Sequence, residues 1–291
     1  MGSFREIRRR LKAVQGTAKI TRAMQLVAAS KMRHAQLAAL AGRRHSLRLE
    51  ELAGRLATST CGVELLPPLL RPRAPQVRGI VFVATDRGLC GSLNQNTFKV
   101  IRAEDAKNAK YVAIGKKGAQ LLLANGLPLL AEFPMNDGMP FFQARAVANF
   151  LKNAYLSGEI DSVEFVYPLY VNTLHQEALL KKILPLADSR DHLLKKCALL
   201  PKEGEPLPLD PRELCIEPSL AELLTALVEH FFQLEIYHLL LEAKAAEQSA
   251  RMVAMKAATD NAEELIKELE IAYNNARQAT ITNEILEITQ N

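Results

Sequence analysis

From Ser219 to Asn291 the chain runs 73 residues without one glycine or proline, and it is rich in Ala, Leu, Glu and Lys. That stretch predicts one continuous helix, because these residues lose least on entering the helical state. Stepping alternately by four and three from Leu227 visits Phe231, Leu234, His238, Leu241, Ala245, Gln248, Met252, Met255, Thr259, Ala262, Ile266, Leu269, Tyr273 and Ala276, and twelve of these fifteen positions are apolar. A sustained period of about 3.5 residues specifies a left-handed coiled coil rather than an ordinary surface helix. The N-terminal segment has the same habit through Phe4, Ile7, Leu11, Val14, Ala18, Thr21, Gln25, Ala28, Met32, Ala35 and Ala39. Its predicted partner is the C-terminal helix.

Length then limits the shape. A helix of 73 residues extends roughly 110 Å, whereas a compact chain of this size has a radius of gyration near ~19 Å. Most of such a rod must protrude from any globule the chain can form. The globule itself is predicted from the middle of the sequence, where Gly79–Ala84, Tyr111–Ile114 and Val163–Tyr167 are short apolar β-rich runs. Between them, residues 94–102, 116–125 and 141–156 have helical character, an order that predicts a parallel or mixed sheet. Prolines 67, 68, 72 and 75 on one side and 201, 206, 208, 211 and 218 on the other read as linkers. The fold class is therefore α/β: a long antiparallel coiled coil of the N- and C-terminal helices plus a small Rossmann-like α/β domain. Its segments are a shaft helix over 1–60, a body over 77–212 and a second shaft helix over 213–291.

Charge sharpens this picture. Residues 1–60 carry thirteen Lys and Arg against three acids, whereas residues 213–291 carry five against fourteen. Such polarity fits either a basic nucleic-acid arm or two terminal segments lying together, and the matched seams favour the second. The overall composition, 48% hydrophobic and 24% charged, excludes a disordered chain. No apolar run approaches the roughly 18 residues that span a bilayer, and no apolar signal core opens the chain, so neither membrane insertion nor secretion is expected. Cys61, Cys90, Cys197 and Cys215 lack Cys-x-x-Cys spacing, which argues against zinc and against a disulfide framework.

The body invites an enzymatic reading, and its motifs resist one. The turn Asp86-Arg87-Gly88-Leu89-Cys90-Gly91-Ser92 follows a predicted strand and precedes a helix, where phosphate cradles occur. It lacks both the three spaced glycines of a dinucleotide fingerprint and the Gly-Lys-Ser/Thr of a P-loop, and Gly115-Lys116-Lys117-Gly118 lacks the magnesium-holding hydroxyl. A tight structural turn is the favoured reading. The six histidines form neither a His-Glu-x-x-His motif nor the base of a nucleophile elbow. No catalytic residue, cofactor or metal site is expected.

Three blocks carry a family resemblance: residues 7–33, Ile-Arg-Arg-Arg-Leu through Ala-Ser-Lys-Met-Arg; Asp86 to Gly91; and Glu247 to Asn261 followed by Ala276-Arg277-Gln278-Ala279-Thr280-Ile281-Thr282-Asn283-Glu284. In this order and spacing they resemble the gamma subunit of F-type ATP synthases, over essentially the whole chain. The resemblance implies a non-catalytic rotor, one copy per complex, whose shaft runs up the axis of a hexamer of alpha and beta subunits. It also implies a body that grips the epsilon subunit and the c-ring at the foot, and a peripheral place on the cytoplasmic face of a bacterial inner membrane. By the same resemblance Met24, Arg251, Arg277, Gln278, Thr282 and Glu284 contact a beta subunit, and Glu217 approaches the c-ring. Ile20, Met24 and Val27 fall opposite the Leu11, Val14, Ala18 seam, and two opposed apolar stripes need two partners. Two departures stand out: Gly16 occupies a place where the family usually has Asn, and the end at Asn291 lacks the family's small apolar tail. Rival readings are a nucleic-acid binder using the basic helix, which lacks any base-reading motif and has few aromatics, and a nucleotide-dependent enzyme built on the body. No nucleic-acid partner is expected.

Overall fold

The computed structural model describes residues 4–58, 67–70, 76–104, 108–185, 217 and 219–289. Two long helices dominate it, α1 (Phe4–Thr58) and α5 (Leu220–Thr289), of 55 and 70 residues. At about 1.5 Å per residue the second is roughly 105 Å long. The pair is antiparallel: Phe4 stacks on Tyr273 with ring centroids 4.8 Å apart, Thr21 meets Thr259 at 2.7 Å, and Gly42 lies against the His238 ring. Every seam position expected on α1 from Phe4 to Ala39 is buried or half-buried, while the residues between are largely exposed. Gly42 belongs to this packing, since a Cβ there would stand 2.5 Å from the imidazole of His238.

Between the shaft helices in sequence lies a five-stranded sheet, built from β1 (Arg78–Val83), β2 (Ala109–Ile114), β3 (Leu129–Phe133), β4 (Ser162–Tyr170) and β5 (Gln176–Leu184) in the order β3-β2-β1-β4-β5. The first four are parallel and β5 is antiparallel to β4. Connections are α2 (Leu93–Ala103), α3 (Lys116–Ala124) and α4 (Phe141–Leu156). Strand β1 is buried on both faces, which is why its sequence reads as a continuous apolar run without alternation. Its Ile80 and Phe82 join a core under α2 and α3, and its Val81 and Val83 join another. That second core includes Val147, Leu151 and Tyr155 of α4 and Leu224, Val228, Phe232, Ile236 and Leu240 of α5. The lower half of the shaft helix is thus one layer of the body.

All three expected strands and all three expected body helices are present. Strands β3 and β5 lie outside those expectations. Gln176-Glu177-Ala178-Leu179-Leu180-Lys181-Lys182-Ile183-Leu184 is made of good helix formers and becomes a strand because it pairs with β4 along its whole length, a tertiary demand that overrides propensity. Pro68–Leu70, read as linker, forms a single 3-10 turn whose Leu69 and Leu70 are buried in the α4/α5 core. Prolines 72, 75, 201, 206, 208, 211 and 218, and the expected boundary between residues 212 and 213, lie outside the described residues.

Candidate interaction surfaces of the shaft

In an open parallel sheet, ligands bind outside the carboxyl ends of the strands where strand order reverses. In this sheet that point lies between β1 and β4, and the turn after β1 is the Gly-rich segment singled out in the sequence. The shaft occupies it. Arg251 of α5, 8% exposed, donates from Nη2 to the carbonyls of Arg87 (3.2 Å) and Gly88 (3.3 Å), and its Nη1 pairs with Glu247 at 2.7 Å. On the other flank of the same helix, Ser249 donates to the carbonyl of Thr173 in the β4–β5 hairpin at 2.7 Å.

The turn is organised by its own side chains. Asp86 accepts from the backbone N–H of Lys116 (2.9 Å) and of Met135 (3.0 Å), so a carboxylate of the chain already sits at the N-terminus of α3. Thr85 donates to the carbonyl of Arg87 at 2.8 Å and accepts from the Asn94 amide at 2.8 Å. Leu89 and Gly91 adopt left-handed backbone, at φ 64° and 61°. Gly115, at φ 102°, lets α3 start where a Cβ would lie 2.3 Å from the Ala84 carbonyl oxygen. This is the geometry of a structural turn, with the N–H of Lys116 at the start of α3 already taken by Asp86.

Beside it runs a chain of ionic groups that sequence reasoning did not pick out. Lys244, 2% exposed, pairs with Glu247 (2.9 Å) and with Asp137 (3.4 Å) of the loop between β3 and α4, and Asp137 in turn accepts from Lys31 of α1 at 2.6 Å. These contacts hold the Asp137 carboxyl below the usual carboxylate range, first through the Lys31 hydrogen bond and then through the charge of Lys244. The available signal was Lys244, Glu247 and Arg251 at i, i+3 and i+7 in an otherwise alanine-rich stretch. Elsewhere, burial together with Glu242 and Glu235 pushes the Tyr167 phenol up.

The upper shaft presents side chains outward. Ile20 is 62% exposed and Val27 53%, with Met24 half-buried between them at the edge of the seam. Beyond Tyr273, where α1 begins opposite, α5 continues to Thr289. Along this end, helical spacing sets Arg277, Ile281 and Glu284 on one row and Gln278, Thr282 and Ile285 on the next. Arg277 and the Gln278 amide are exposed and have no side-chain partner among the described residues, and Thr282 donates to the Gln278 carbonyl at 2.9 Å. Glu284 lies within the helix; its side chain is outside the described residues. Of the expected contact residues, Arg277, Gln278, Thr282 and Glu284 thus fall together. Met24 sits roughly 30 Å lower by helical rise, Arg251 faces the chain's own turn, and Glu217 is exposed at the foot, just before α5. Among the described residues no helix is long and apolar enough to cross a membrane, and no cluster could hold a metal ion.

A family model described as ATP synthase matches residues 3–290. The chain is 43% identical to the ATP synthase gamma chain of Opitutus terrae and 41% identical to that of Methylacidiphilum infernorum, covering 99% of this chain in each case and 97% and 98% of the relatives. Among solved structures, it matches a chain of the Euglena gracilis mitochondrial ATP synthase solved with OSCP, F1 and c-ring, at a TM-score of 0.66 and 18% identity over 99% of this chain and 92% of that one. A second match, to the rotor of the same enzyme, has a TM-score of 0.62 at 19% identity, covering 96% and 98% of the two chains. Those likenesses bear on the fold, and the sequence identities carry the assignment. The chain belongs to the family of ATP synthase gamma chains.

Proposed function

We propose that this chain is the central rotor shaft of an F-type ATP synthase, turned at its foot by the c-ring and driving conformational change in the catalytic beta subunits. One observation carries the reading. A coiled coil of two helices, the longer about 105 Å, is gripped by the body along its lower half only, and its upper part displays Ile20, Leu26, Val27, Ile271, Ile281 and Ile285. A rod with apolar side chains on several sides fits inside a ring of partners, the alpha and beta hexamer. Because the rod is asymmetric, it contacts each beta subunit differently, which is what coupling between distant sites requires.

In this reading Met24, Arg277, Gln278, Thr282 and Glu284 touch beta subunits, whereas Arg251 acts lower on the shaft by fixing the turn at 87–88. The body binds the epsilon subunit, and Glu217 lies on the c-ring side. The chain is present once per complex, holds no nucleotide itself, and sits peripherally on the cytoplasmic face of a bacterial inner membrane. Assembly of the purified chain with alpha and beta subunits tests this: ATP hydrolysis should turn a bead attached to the body. A complex that hydrolyses ATP with a static shaft would refute it.

A further inference from the structure

The chain joins the body to the shaft helices through residues 59–77 and 185–219, and side-chain contacts along the shaft give a twist applied to the body a direct route to α1 and α5. The collar is the level of residues 244–251, where the β3–α4 loop and the Gly-rich turn meet the shaft. Below it the central contacts are apolar, with Leu224, Val228, Phe232, Ile236 and Leu240 on the sheet and on α4, and ion pairs flank them at Lys152–Glu229 (3.0 Å) and Lys181–Glu235, each to α5 alone. Apolar contact is non-directional and resists rolling of a helix weakly. At the collar the ionic contacts reach both helices. Lys31 of α1 bonds Asp137 of the body, Asp137 bonds Lys244 of α5, Lys244 bonds Glu247, and Glu247 bonds Arg251, which holds the body again at Arg87 and Gly88. Met135 closes the circuit, with its N–H on Asp86 and its carbonyl accepting from Lys244 at 3.4 Å.

We propose that Asp137 and Lys244 are positioning residues for torque transfer: with Lys31, Glu247 and Arg251 they form a torsional lock that fixes the body's angle to both shaft helices. Stability alone does not account for this arrangement. Lys244 and Glu247 side chains are 3% and 4% exposed, and apolar residues of similar volume would serve a static core as well or better. What ionic hydrogen bonds add is direction, since they weaken steeply as the angle departs from linear. Among the described residues, Asp137 alone pairs with both shaft helices from one loop of the body.

The proposal rests on the rotor reading above, and one experiment separates the two. Complexes carrying wild-type, Asp137→Asn or Lys31→Gln chains are fixed to a surface by the hexamer, with a bead on the body, and the bead's angular variance is recorded in the stalled state. Asparagine keeps the shape but has one acceptor oxygen where the carboxylate uses two, so it holds at most one of the two lysines and turns its NH2 toward the other, and the lock's share of the variance should rise about twofold. Phe232→Leu, in the apolar seat below, serves as the control for general loosening: it should lower thermal stability at least as much while leaving the variance at the wild-type value. If Asp137→Asn does not assemble, Lys31→Gln decides alone, because it spares the buried Lys244–Glu247 pair and should show a rise of the same sign. Wild-type variance in the assembled variants overturns the lock, as does an equal rise in Phe232→Leu. A wild-type complex whose body does not turn during hydrolysis overturns the rotor reading, and the lock with it.

Discussion

The seam between the shaft helices contains a pair of facing hydroxyls whose removal has a calculable effect. Thr21 and Thr259 are 9% and 5% exposed with their oxygens 2.7 Å apart. Thr259 donates to the Met255 carbonyl at 2.8 Å, so its oxygen is the acceptor for Thr21, whose own alternative is the Ala18 carbonyl at 3.1 Å. Valine at either site keeps the shape and deletes the mutual bond, costing about 1 kcal/mol. Valine at both sites leaves no hydroxyl behind, so the double variant should be no less stable than either single one, giving a coupling of about 1 kcal/mol. The gain carries a loss of specificity. A slip of one heptad, about 10 Å along the axis, sets Thr21 against Met252 or Ile266 and Thr259 against Val14 or Ala28. In wild type that slip forfeits the hydroxyl pair, and in the double variant it forfeits nothing there. Urea midpoints at constant m-value give the energies. Paramagnetic labels at Arg22 and Glu263, which come within 3.8 Å in the native register, report the slip. Strict additivity of the two substitutions, or a double variant with the native label distance alone, would show that the pair does not set register.

Further outcomes follow from single sites. Gly16→Ala should stabilise the chain by about 0.8–1 kcal/mol, since residue 16 lies within α1 and a Cβ there meets nothing within 4 Å; a urea midpoint unchanged from wild type would contradict it. Because the Asp137 carboxyl titrates below its ordinary 3.8, its contribution to stability is complete above that value and is lost as pH falls through the lower folded value. Asp137→Asn should therefore flatten the acid limb of the stability curve, and an unchanged limb would refute the linkage. Calorimetry should find no micromolar nucleotide binding to the purified chain, because the Asp86 carboxylate takes the Lys116 N–H at the start of α3, Arg251 takes the carbonyls of the turn, and the turn lacks a P-loop lysine and hydroxyl. Arg277→Ala should impair coupled ATP synthesis more than it impairs folding, with Arg277→Lys rescuing incompletely because a point charge lacks the two-pronged fork. Wild-type synthesis per assembled complex would remove Arg277 from the functional surface.

What was legible in the sequence divides by the range of the interactions involved. The shaft was readable because a coiled-coil seam is a local period repeated many times, and every seam position from Phe4 to Ala39 is covered. Strand β1 was readable because burial on both faces leaves no polar residue in its centre. Strand β5 was not, since its residues favour helix and only pairing with β4 makes them extended. The tip residues Arg277, Gln278 and Thr282 are named through resemblance, and the structure leaves all three exposed. The ionic circuit escaped because Lys31, Asp137 and Lys244 are brought together from three elements far apart in sequence. A lone Asp in a Met-Asn-Asp-Gly-Met loop looks like turn chemistry, and a lysine in a helix looks like solvated surface. The same cause runs through these cases: a period records one repeated environment, whereas a junction between body and shaft is assembled once, from residues whose neighbours are set by topology. In the proposed rotor, that junction is where the two ranges of interaction meet, and at the crevice that other α/β sheets offer to a ligand the protein's own helix places Arg251 on the turn.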